Sequence, residues 1–121
     1  MKKWVNITVL LFMMTTGLSQ ANKVLSKGEF QQIFMASFTY MTVIKACNLT
    51  PMYGLADETV NEIIGYGYRN RLHDSDTERV SQNLTLFTLQ GIDAYKKTAK
   101  ISCADAAKNM RTIADAVRQL K

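Results

Sequence analysis

Gly65-Tyr66-Gly67-Tyr68, followed at once by Arg69-Asn70-Arg71, gathers residue types that two kinds of ligand-binding loop employ. Alternating glycine and aromatic side chains form the stacking platform of RNA-recognition domains. Glycines at that spacing also let a backbone approach a pyrophosphate. Neither pattern completes. The RNA signature opens with Lys or Arg and runs on into Val-x-aromatic on a strand, whereas Ile64 precedes the first glycine here and two arginines follow. The dinucleotide loop fails at its third glycine, which is Asn70. Two readings survive. In one, Gly67 lets a neighbouring helix approach and the tyrosines fill the space beside it. In the other, Tyr66, Tyr68, Arg69, Arg71 and His73 form a partly exposed surface for a protein partner, since Tyr and Arg dominate interface hot spots. Arg69 and Arg71 would stand about 200° apart on a helix, so one would face the partner and the other serve the rim.

Other chemistry is sparse. His73 is the single histidine, and Asp74 and Asp76 beside it do not gather enough ligands for a metal. Glu58 and Glu62 lie one helical turn apart, but with Asp57 they read as a solvated first turn favoured by the helix dipole. No Ser, Thr or Cys stands in a nucleophile motif, and nothing calls for a cofactor. Asn48-Leu49-Thr50 and Asn83-Leu84-Thr85 match the glycosylation pattern; Pro51 follows the first, and helical spacing surrounds the second. The expectation is a binding protein, not an enzyme.

The ends of the chain set the compartment. Lys2 and Lys3 precede a mostly apolar run, Val5 to Gly17, and Ser19-Gln20-Ala21 supplies small residues at a cleavage site. That order predicts a signal peptide over residues 1–21, and a single mature domain over 22–121 in the periplasm or outside the cell. The run is too short and too dilute in apolar residues for a membrane anchor, which needs roughly 20. Without Lys2 and Lys3, thirteen basic residues face ten acidic ones, a net charge of +3. That is too mild for a nucleic-acid binder. Cys47 and Cys103, an even pair in an exported chain, predict a disulfide.

Helices must position these groups. Phe30, Ile33, Phe34, Phe38, Met41, Ile44 and Cys47 recur at three- and four-residue intervals, after a Ser26–Glu29 capping box. Pro51 and Gly54 end that helix. A second, capped by Asp57, carries Val60, Ile63, Ile64, Gly67, Tyr68 and Leu72. A third opens at a Ser75–Glu78 box and runs through Val80, Leu84, Phe87, Gly91 and Tyr95. A fourth opens at Ser102 and carries Ala106, Met110, Ile113, Val117 and Leu120. The class is all-α, a compact four-helix bundle-like domain, with one disulfide joining the end of the first helix to the start of the last.

The stretch Phe38-Thr39-Tyr40 to Gly54, with Tyr40, Val43, Cys47 and Tyr53, resembles the first helix of the small periplasmic immunity proteins of type VI secretion systems, the Tai and Rap1a-like groups. Cys103 to Leu120 is similar to their final helix, which also opens on a Cys. The resemblance covers helix one and the general architecture. It implies an exported, disulfide-containing helical protein, often a homodimer, that occupies the cleft of a peptidoglycan-degrading effector. The loops by which that family plugs its targets have no matching motif here, so no inhibitory residue carries over. A helical interaction module of the envelope, such as a chaperone-like or secretion-associated adaptor, is the alternative.

Overall fold

The computed structural model describes residues 24–98 and 100–120; the leader expected over 1–21 lies outside them. The described residues form five α-helices and one 3-10 turn. Helix α1, Lys27–Ala46, is the axis of the fold, and α2 (Tyr53–Arg69), α4 (Leu84–Thr98) and α5 (Cys103–Val117) all pack on it. The short α3, Ser75–Gln82, leads into α4. The all-α bundle with one disulfide is therefore observed.

Helix α1 begins as its sequence requires. The Ser26 hydroxyl accepts from the Glu29 N–H, and the Glu29 carboxylate accepts from the Ser26 N–H, so two otherwise orphaned donors are satisfied. The interval of three and four then buries Phe30, Ile33, Phe34, Met41 and Ile44. Each such side chain contributes about 1.5–3 kcal/mol through burial. Ser37 is buried among them because its hydroxyl donates to the Phe34 carbonyl, 3.0 Å away. The helix stops at a left-handed residue, Asn48 at φ 57°. Asn48 N–H donates to Lys45 O and Leu49 N–H to Ile44 O, the paired bonds that close a helix end.

Three expectations are corrected. The second helix starts at Tyr53, directly after the 3-10 turn Thr50–Met52, and Asp57 is no cap. Its carboxylate pairs with Lys45 at 2.8 Å instead, tying α2 to α1. The capping box of α3 belongs to Asp74 and Thr77, one residue before the expected Ser75 and Glu78. Gln31 on α1 donates to the second oxygen of Asp74, so the capping carboxylate is also tied to the first helix. The expected third helix is two. Asn83 leaves the helical region at φ −126°, ψ 40°, and its side-chain amide donates to the Arg79 carbonyl. That local bond competes with helix continuation. Asn83 thus lies at a break between helices.

Helix α4 approaches α1 closely at one point. A Cβ at Gly91 would stand 2.7 Å from Thr42 Cγ2, so the two helices meet there only because residue 91 is glycine. Helix α5 opens at Ser102, whose hydroxyl accepts from the Asp105 N–H, and buries Ala106, Met110, Ile113 and Val117. Cys47 caps the end of α1 and Cys103 begins α5. Their disulfide, with Cα atoms 6.0 Å apart, joins the first helix to the last as expected.

Candidate functional site

The end of α2 divides the five expected surface residues into two groups. Tyr66 belongs to the core: it is 3% exposed, and its hydroxyl accepts from the Leu25 N–H at 3.0 Å. The expectation that it is partly exposed is therefore overturned. A surface role is incompatible with that burial, and the residue anchors the start of α1 to the end of α2. Periodicity held the warning, because Ile63 and Tyr66 are three residues apart on one face. The hydroxyl's partner, 41 residues away, left no local signal.

Gly67 is a close-packing glycine. A Cβ there would stand 2.3 and 2.5 Å from the Phe30 ring and 2.7 Å from His73 Nε2. Phe30 is fully buried and His73 half-buried against it, so the space beside Gly67 is already taken. Gly65 differs: the nearest atom to a Cβ is Arg69 Nη1 at 3.2 Å, the far end of a flexible side chain.

His73 fills the space that Gly67 leaves. Its ring centroid lies 4.9 Å from that of Phe30 and 6.3 Å from that of Phe34, the latter edge-on. Tyr68 covers the other face, stacked at 4.1 Å and 17°. Nε2 is 3.1 Å from the Ile64 carbonyl and must carry the proton to donate to it. Nδ1 is buried and without a partner among the described residues. The histidine is a wedge between helix end and loop. It is half-buried, and the contact it makes towards the surface is the stack on Tyr68. No group of three or more potential metal ligands occurs among the described residues.

Tyr68, Arg69 and Arg71 are exposed, as expected. Tyr68 is 47% exposed while its ring is fixed from behind by His73, an arrangement that presents a rigid aromatic edge at little entropic cost. Partial burial raises the Tyr68 pKa, and the Glu78 carboxylate beside its hydroxyl raises it further. Glu78 is thus a neighbour that the sequence reading assigned only to a cap. The relation expected between the arginines changes, because the helix ends at Arg69. Arg71 adopts φ 56°, in the left-handed region. Its N–H donates to Tyr68 O at 3.3 Å and the Leu72 N–H to Gly67 O at 2.9 Å, the same closing pair seen at Asn48. Glycine or asparagine ordinarily occupies such a position, and a residue with a larger side chain costs about 1–2 kcal/mol there.

A second surface escaped the sequence reading. Leu86 and Leu89 on α4 are 53% and 60% exposed. A groove of about 360 Å³ runs between α2 and α4, floored by Met41 and lined by Asn61, Leu84, Thr88, Leu89 and Ile92. The signal was the density of apolar residues from Leu84 to Ile92, more than one helix face can bury.

No family model, curated protein or solved structure matches the chain.

Proposed function

We propose that the chain is an exported helical binding protein of the periplasm, and that it neutralises a peptidoglycan-degrading effector as an immunity or inhibitor protein. One observation carries the reading: Tyr68, stacked on His73 and followed by two exposed arginines, stands at the end of a bundle whose first and last helices are joined by a disulfide. The disulfide fits an oxidising compartment. Hot-spot residue types, with the tyrosine held by a half-buried histidine, fit a surface built for a protein partner. Export itself rests on the basic head, apolar run and small-residue exit at residues 1–21. The resemblance of Phe38 to Gly54 to the type VI immunity proteins supplies the class of target.

The groove between α2 and α4 favours a second reading, an envelope adaptor or chaperone-like module that holds an amphipathic helix. A digestion assay separates the two. The mature chain would be added to a cell-wall amidase or muramidase encoded beside it, acting on purified peptidoglycan. Stoichiometric inhibition is the expected outcome. Undiminished release of muropeptides at excess protein would exclude the inhibitor reading.

A further inference from the structure

Three features that disfavour folding fall within seven residues, and only one is explained by the core. Gly67 is required by Phe30 and His73. Gly65 and the left-handed Arg71 are not. Both relate instead to guanidinium groups: the Arg69 side chain lies back over the space at Gly65, and Arg71 keeps a long cationic side chain where the backbone favours glycine. Neither arginine takes part in an ion pair among the described residues, although Arg79 and Arg118 both pair with nearby aspartates. The left-handed turn at residue 71 delivers Leu72 to the core, but a guanidinium at that position serves no core contact and points to a role outside it.

We infer that Arg69 and Arg71, with the exposed Tyr68 that precedes them at the end of the helix, form a receptor for carboxylate side chains on an acidic protein partner. This rests on the reading of the chain as a binding protein and names the chemistry of the surface it meets. Guanidinium groups bind carboxylates through paired N–H donors, and the fixed tyrosine supplies the apolar contact beside them. A membrane is disfavoured by the next turn of chain. Asp74, Asp76 and Glu78 follow immediately, and a plane of anionic headgroups would meet them together with the arginines. A discrete carboxylate can meet the guanidinium groups alone, although Glu78, beside the Tyr68 hydroxyl, repels one placed there.

The test uses an acetylated, amidated peptide of ten glutamates, titrated into the full mature protein at low salt and followed by amide NMR. Shifts should concentrate on residues 65–72. Arg69→Ala with Arg71→Gly should weaken peptide binding about tenfold. Lys108→Ala with Arg111→Ala, an equal loss of charge on the exposed side of α5, should weaken it less than twofold. Arg71→Gly alone should weaken binding yet raise the melting temperature by about 2–6 °C, because it relieves the left-handed residue. Gain of stability with loss of binding separates a binding role from a structural one. Equal weakening by the two double variants would overturn the inference, since net charge alone would then account for it. So would arginine-dependent binding to vesicles of phosphatidylglycerol and phosphatidylcholine without peptide binding, which would assign the site to lipid. Peptide binding without inhibition of the hydrolase supports this site and removes only the hydrolase. Inhibition that survives in the arginine double variant overturns the site and keeps the hydrolase.

Discussion

At the scale of single residues, Gly65 and Gly67 are two apart in sequence and opposite in environment. Gly67→Ala places a methyl against Phe30 and His73 and should cost about 1–3 kcal/mol, although alanine is the better helix former. Gly65→Ala meets only a movable guanidinium and should stabilise by up to about 1 kcal/mol. Denaturant midpoints give both signs, and a gain at position 67 would contradict the packing described here. The core side of Gly67 was legible from helical spacing. The identity of what fills that side was not, because His73 arrives from the loop and Phe30 from another helix. Asp74 makes a pH-dependent contribution. The Thr77 N–H first, then the Thr77 hydroxyl and Gln31, holds its pKa below the ordinary carboxylate value, against a smaller opposing effect of burial. A carboxylate with a lowered native pKa stabilises fully above its unfolded value, about pH 4, and loses that contribution as pH falls through the native one. Asp74→Asn keeps a capping oxygen but cannot titrate. Its stability should fall less steeply than the parent's below about pH 4, and parallel acid melting curves would count against this role.

At the scale of elements, spacing and capping residues made most of the helices readable before any contact was known. The misreadings share a cause. Asp74 caps in place of Ser75 and is bonded by Gln31 on α1, and Asn83 lies at a helix break where its amide bonds the Arg79 carbonyl. Both are choices between near-equal local options, which sequence pattern alone does not rank. The approach of α4 to α1 is likewise a pairwise fact. Gly91→Ala should cost about 1–2 kcal/mol through the clash with Thr42 Cγ2. Thr42→Ser removes that methyl while retaining the hydroxyl that donates to Phe38 O. In the double variant most of the Gly91→Ala cost should therefore disappear, a non-additivity that unfolding of the four proteins would measure. Strict additivity would mean that the helices separate instead of meeting at this pair.

At the scale of the molecule, the disulfide joins the first helix to the last, and the proposed binding surface presupposes the export that such a bond favours. Cys47 and Cys103 were legible as a pair from their count and their places at facing helix ends. Exposure was partly legible: Tyr68, Arg69 and Arg71 are exposed and His73 half-buried, while Tyr66 lies in the core. Closing a loop between cysteines 56 residues apart stabilises by about 4 kcal/mol on chain-entropy grounds. Reduction should accordingly lower the melting temperature by about 15 °C or more.

The compartment on which the functional reading rests can be tested in one experiment: intact mass of the protein from the periplasmic fraction, treated with an alkylating agent and no reductant. The expected mass is that of Asn22–Lys121 less two hydrogens, with no alkyl group added, which reports cleavage after Ala21 and the Cys47–Cys103 bond together. A mass retaining Met1–Ala21, or two alkylated thiols on the native protein, would contradict the account of an exported, disulfide-bonded binding protein.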